Sequence, residues 1–296
     1  MRILIPYQAL LTVTSITNTP ATYGSIVATQ ELRCAMDADP VNRTTWQSGN
    51  YDQPIIFRYS GMTLPFTITS GTGVGQGISS VFIDIQRTVG TAVSGNYNQF
   101  EYWGSADGAS YSTLEIGKLG DGSDQGAAIR ISSLPTDKSS NPRNVRTILT
   151  YDSGLYTSDW HKIQLYNATA TGGNYYLYEI MHGILFYVPG YQRAYQQREL
   201  VNAGSVVSKS DYGNMTAFGE QSRPVRYAKT YTIAALTVDY KNLLVNIVKY
   251  CRGSFPVLIV EEDSNVETWY KAILRSIEWR EPYSDEYTVD IECEEV

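Results

Sequence analysis

The chain reads as a mainly β protein: an N-terminal jelly-roll sandwich followed by a C-terminal β-sandwich or sheet that carries one amphipathic helix. Three observations lead there. Short β-branched or aromatic runs recur from Leu10 to about Tyr191 between Gly- and Ser-rich links, with no helical period among them. The chain holds 24 Tyr against 7 Phe, together with 24 Gly; aromatic rings tipped with hydroxyls suit half-buried strands and contact surfaces. One segment, TVDYKNLLVNIVKYCRG, carries a clear helical period.

In chain order the strand-like runs of the first half are LLTVTSI, QPIIFRYS, SSVFIDIQ, NQFEYWGS, STLEIGKL, AAIRISSL, RTILTY, HKIQLYNA and YYLYEIMHGILFYV. Their spacing matches a sandwich rather than alternating βαβ units. YVPGYQRAYQQREL reads as a connection, after which the texture changes, so the chain divides into residues 1–192 and 193–296. Strand candidates of the second part are GSVVSKS, NMTAFG, VRYAKTYTIAAL, PVLIVEE, TWYKAILRSIEWR and EYTVDIECEEV. Alternation in TYTIAAL and EYTVDIEC predicts one buried and one wet face.

The helix is expected over residues 238–251. Tyr240, Leu243, Leu244, Ile247, Val248 and Cys251 form its apolar stripe, and Leu243, Leu244, Ile247 and Val248 are its candidate core or assembly residues. Thr237 is placed to cap the start, Asp239 lies in the first turn, Lys249 and Arg252 lie near the end, and Gly253 is placed to close it.

Composition excludes some functions. Lys+Arg 23 against Asp+Glu 30 leaves a net charge of -7, with the basic residues scattered, so sequence-specific nucleic-acid binding is not expected. No run approaches the roughly 20 apolar residues of a spanning helix, so no membrane insertion is expected. The start, MRILIPYQALLTV, is a short apolar run broken by Pro6 and Gln8 and reads as a poor secretory signal; synthesis in the cytoplasm is the expectation. Cys34, Cys251 and Cys293 are far apart and odd in number, which points to reduced, buried thiols rather than a disulfide framework or a metal site.

Catalytic and metal signals are sparse. The two histidines, His161 and His182, fall in strand-like runs, and no G-x-S-x-G, H-E-x-x-H or P-loop pattern occurs. Carboxylates cluster at Asp37 with Asp39, Asp121 with Asp124, Glu261 to Asp263, and Glu292 to Glu295. A glycosidase needs only two carboxylates at the right separation, which sequence does not give. GDGSDQG, Gly120 to Gly126, has oxygen ligands at short spacing but lacks the later Glu of an EF-hand loop, and reads as a solvated turn. No metal, cofactor or catalytic residue is assigned.

Asp39-Pro40 followed by Thr44, Thr45 and Trp46 resembles the DP-x-x-x-T-x-W run of discoidin-like, galactose-binding-fold jelly rolls. GSADGASY, Gly104 to Tyr111, resembles their S-x-DG-x-x-(W/Y) turn, with Tyr111 where many relatives have Trp, and HKIQLYNA resembles their penultimate strand. The resemblance implies a jelly roll over residues 1–192 and, in many relatives, carbohydrate or surface binding through loops at one end. Trp46, Tyr51, Asp52, Asp107 and Tyr111 are the corresponding candidates. The competing physical reading has Asp39-Pro40 start a turn and Trp46 plug the open end of the sandwich.

The second part has its own resemblance. SRPVRYAKTYTIAAL, the helix, RGSFPVLIVEED and WYKAILRSIEWREPYSDEYTVDIECEEV are similar, in the order of their elements, to the C-terminal portion of phage minor tail and distal-tail proteins. Together the two resemblances imply a structural, non-enzymatic component of a phage tail tip or baseplate, assembled in the host cytoplasm. They imply a homo-oligomeric ring, with the tail tube, tape measure and central hub proteins as partners and a host-surface glycan as a further one. The acidic stretch Glu292 to Glu295 would then line a channel for DNA. A stand-alone carbohydrate-binding module is the alternative, and a glycoside hydrolase a third.

Overall fold

The computed structural model describes residues 1–7, 13–18, 44–47, 53–59, 64–71, 76–87, 98–114, 116–124, 128–131, 145–167, 174–189, 196–200, 206–209, 215–218, 226–251 and 256–295. Its first strands are β1 (Arg2–Pro6), β2 (Val13–Asn18), β3 (Thr44–Gln47), β4 (Gln53–Tyr59), β5 (Thr69–Ser70), β6 (Gln76–Arg87) and β7 (Asn98–Ser105). There follow β8 (Ser112–Thr113), β9 (Ile116–Gly120), β10 (Ser123–Asp124), β11 (Ala128–Ile131), β12 (Val145–Tyr151), β13 (Trp160–Asn167) and β14 (Asn174–Tyr187). Beyond these come β15 (Gln196–Leu200), β16 (Val206–Lys209), β17 (Met215–Phe218), β18 (Arg226–Leu236), helix α1 (Val238–Cys251), β19 (Val257–Val260), β20 (Trp269–Tyr283) and β21 (Glu286–Glu295).

The chain is mainly β, built from large antiparallel sheets with a helix. The larger sheet has the order β15-β18-β21-β20-β19-β1-β14-β6-β12-β9, with β3 against β14 and β5 against β6. The second has the order β10-β11-β7-β13-β4-β2, with β8 against β7; β16 and β17 form a separate hairpin. The second sheet packs face to face on the middle of the first, where Tyr59 and Tyr102 reach His182 of β14. No described helix is long and apolar enough to cross a membrane.

The middle of the larger sheet is buried on both faces, and its sequences show why. In β1, Ile3 and Ile5 join the core under the second sheet while Leu4 joins a second apolar cluster behind; in β19, Val257 and Ile259 divide from Leu258 and Val260 in the same way. Such strands read as unbroken apolar runs rather than alternating ones. Farther out, β18 and β21 alternate, with Tyr231, Ile233, Val289, Ile291 and Cys293 facing the core. There α1 supplies the covering layer, burying Tyr240, Leu243, Leu244, Ile247, Val248 and Cys251. Its start is held as its sequence predicts: the Tyr240 N–H donates to Thr237 Oγ1 at 3.4 Å and the Lys241 N–H to the Thr237 carbonyl at 3.0 Å. Arg252 and Gly253 lie outside the described residues.

Two segments differ from their sequence reading. QQREL, read as part of a connection, is β15, paired with β18 from Gln196 opposite Thr230 to Leu200 opposite Arg226. RILIP, read only as a short apolar start, is β1. It pairs with β14 along Arg2↔Tyr187 to Pro6↔Gly183 and with β19 along Arg2↔Val260 to Leu4↔Leu258. The N-terminus thus inserts between residues of the two expected domains, and the division at 192/193 does not coincide with a break in the larger sheet. The approach is close: a Cβ on Gly183 would lie 1.9 Å from the Ile5 carbonyl oxygen, so only glycine fits there.

Candidate functional site

The sequence candidates separate. Trp46 lies in β3, opposite Tyr175 of β14 in the larger sheet. Asp107 and Tyr111 lie between β7 and β8 of the second sheet. From Tyr175, β14 runs to His182, a span of roughly 23 Å at strand rise, before it meets Tyr102 of β7. Trp46 and the Asp107 turn are therefore at opposite ends of the sandwich. Tyr51 and Asp52 lie outside the described residues.

Asp107 organises its own turn. Its Oδ1 accepts from the Ser110 N–H at 2.8 Å, the Ala109 N–H at 2.9 Å and Ser105 Oγ at 2.9 Å. Those donors, the Ser110 backbone first, hold its carboxyl down at about 2. Gly108 follows at φ +74° against the Trp160 ring, which a Cβ would approach to 2.5 Å.

Beside the turn, alternation points one set of side chains out of the second sheet. Lys162 is opposite Trp103, and Trp160 is opposite both Ser105 and Arg58. The Lys162 ammonium lies 4.0 Å from the Trp103 ring centroid and 4.9 Å from that of Tyr111; the Arg58 guanidinium lies 4.7 Å from that of Trp160. Trp103 Nε1 donates to Glu101 Oε2 at 3.1 Å. Burial, and then the Asp107 charge, push the Tyr111 hydroxyl pKa up, and its Oη is buried without a hydrogen-bond partner. The result is a strip of cations resting on aromatic faces. Sequence reading found Tyr111 and Asp107 in it through the turn motif but missed Trp103, Trp160, Lys162 and Arg58, which adjoin only through strand register.

Both histidines lie in the sandwich core. Tyr59 Oη is 2.6 Å from His182 Nδ1, and Tyr102 Oη bridges His161 Nδ1 at 2.6 Å and His182 Nε2 at 2.7 Å. Tyr7 adds an edge-on ring contact to His182 and a 2.8 Å hydrogen bond to Ser79. Burial drives His161 down to about 3 against the pull of the Ser158 backbone; burial and then the His161 charge drive His182 well below its ordinary value. Both rings are neutral at physiological pH and closed off from solvent, so the network acts as a polar peg in the core.

The carboxylate clusters are engaged in structure. The Arg2 guanidinium donates to both oxygens of Asp263 at 2.8 Å, and Tyr231 Oη donates to Glu261 at 2.6 Å. Ser276 Oγ donates to Glu292 at 3.1 Å and Arg275 Nε to Glu294 at 2.7 Å. Asp121 Oδ2 accepts the Arg146 N–H at 3.0 Å. Asp37 and Asp39 lie outside the described residues. Among the described residues no group of three or more His, Cys, Asp or Glu is placed to hold a metal ion. Cys251 and Cys293 are buried thiols, pushed by burial to about 12; Cys34 is not among the described residues.

Leu243, Leu244, Ile247 and Val248 all face the chain's own core. Among the described residues the two most exposed large apolar side chains lie on the β20–β21 hairpin, which runs past the rest of the sheet. Its residues 279–286 are all exposed, Trp279 at 53% and Tyr283 at 72%. Lys241 of α1 steadies its base, 5.4 Å from the Trp279 centroid and 4.7 Å from that of Tyr287. Comparisons with protein-family models, with curated proteins and with solved structures return no match for this chain.

Proposed function

We propose that the chain is a non-enzymatic structural subunit of a phage tail tip or baseplate, forming a ring that joins the tail tube to the hub or receptor-binding parts. The observation that carries this reading is the projecting β20–β21 hairpin with Trp279 and Tyr283 in solvent. Tyr283, 72% exposed, and Trp279, 53% exposed with the Lys241 ammonium on its ring, mark an association surface. The stripe of α1 does not compete for that role, because the sheet beneath consumes it. An arm docking on a different patch of the next copy is a heterologous contact, and such contacts close into rings when the rotation permits. The order of elements that resembles distal-tail proteins supports the same reading, with tape measure, tube and hub as neighbours and the virion tail tip as the location. Electron images of the full chain at high concentration are expected to show closed rings; isolated single-chain particles, with and without a tail-tube partner, would contradict it.

A second reading, a carbohydrate-binding module, is favoured by the Trp103, Tyr111, Lys162 strip. Against simple stacking there, the Lys162 ammonium already occupies the ring face a sugar would use.

A further inference from the structure

On the face of the larger sheet away from the second sheet lies a cavity of about 490 Å³, inside the roughly 300–1,000 Å³ of small-molecule sites. Its floor is apolar, with Phe82, Leu258 and Trp269 all at most 3% exposed. Its walls carry ion pairs: Arg146 Nε to Asp84 at 2.9 Å and Lys271 Nζ to Glu179 at 2.7 Å, while Lys229, also on the wall, reaches Glu261 at 3.4 Å. Glu179 is 5% and Asp84 7% exposed. Burying charges is costly and pairing them returns little net stability, so several pairs gathered around one cavity point to a polar occupant rather than to a stability device.

We propose that this cavity binds an uncharged mono- or disaccharide. Each wall pair sets a donor beside an acceptor with no net charge, and a sugar hydroxyl both donates and accepts, so one hydroxyl can take the ammonium N–H and give its O–H to the neighbouring carboxylate. An anionic sugar meets Asp84, Glu179, Glu267 and Glu295, and a cationic one meets Arg146, Lys229 and Lys271. The site lies in the opposite layer of the sandwich from the Trp103 strip and does not depend on ring formation.

Saturation-transfer NMR on the full chain tests it, with glucose, galactose, N-acetylglucosamine and N-acetylgalactosamine as probes and with glucuronate and glucosamine as charged counterparts. At least one neutral sugar is expected to bind, about tenfold or more tighter than either charged counterpart, because the charged ring leaves a wall group mismatched. The double substitution Glu179→Gln with Lys271→Gln removes both charges of one wall pair and is expected to weaken binding about tenfold or more at an unchanged melting temperature. Should that variant melt early, Tyr178→Ala, at the partly exposed rim, replaces it with the same expected loss. Trp103→Ala should leave binding unchanged. No signal from any neutral sugar, tighter binding of a charged one, binding that survives the wall substitutions, or loss on Trp103→Ala would each overturn the proposal.

Discussion

His161 and His182 make the stability of this chain depend on pH in a direction that the geometry fixes. The unfolded chain takes up a proton at each histidine near pH 6.5, whereas burial holds the folded His161 down at about 3 and His182 well below normal. Below pH 6.5 the unfolded state binds more protons at both histidines, so stability present above that pH is lost as pH falls, for His161 toward about 3. Urea midpoints measured from pH 7 to pH 4 should fall accordingly. A His161→Gln, His182→Gln double variant, though less stable, should show a shallower slope; an equal slope would mean that the histidines are not the titrating groups. None of this network could be read from spacing, because Tyr7, Tyr59, Tyr102, His161 and His182 come from separate parts of the chain and meet only across two sheets. Gly183 is another such case: ordinary within its strand run, it is indispensable only because β1 crosses it. Gly183→Ala should lower the melting temperature steeply, since the added methyl meets rigid backbone at Ile5 rather than a movable side chain.

At the scale of elements, legibility followed the number of buried faces. α1 was readable from 238 to 251 because it has one apolar stripe and a capping threonine, and both can be tested. Thr237→Ala should cost about 1 kcal/mol, as loss of an N-cap does. Leu244→Asp, at a site 1% exposed, should unfold the chain or strip the helix from β20 and β21, because an unpaired carboxylate would sit where a large apolar side chain packed. Thermal melts followed by circular dichroism distinguish the two outcomes, and an unchanged melt for Leu244→Asp would mean that the stripe does not form the core. Strands with one wet face, such as β18 and β21, were visible by alternation. RILIP of β1 was not, because a strand buried on both faces has no period and its partners lie at opposite ends of the sequence. QQREL of β15 has a single apolar residue, Leu200, and so no alternation to read. The arm escaped for the opposite reason: EWREPYSDEY is an ordinary polar hairpin in sequence, and only the exposure of Trp279 and Tyr283 in the folded sheet marks it as the proposed contact surface.

For the whole molecule, the insertion of β1 between β14 and β19 ties the two halves of the sequence together. A fragment of residues 193–296 leaves the β19 edge unpaired and loses the burial of Ile3, Leu4 and Ile5. At about 1.5–3 kcal/mol per side chain that loss is comparable with the roughly 5–15 kcal/mol that holds a domain folded. The fragment should aggregate or melt well below the same fragment carrying residues 1–7 in trans or by fusion, as size-exclusion chromatography and melting curves would show; equal behaviour would make β1 an ornament of the sheet. Whether the chain assembles through the arm is decided by native mass measurement of the full chain across a concentration series. One discrete oligomer is expected for the wild type, and monomers for a Trp279→Ser, Tyr283→Ser variant that melts at the same temperature. Monomers alone in the wild type at high concentration, or an oligomer unchanged by the loss of both aromatics, would contradict it.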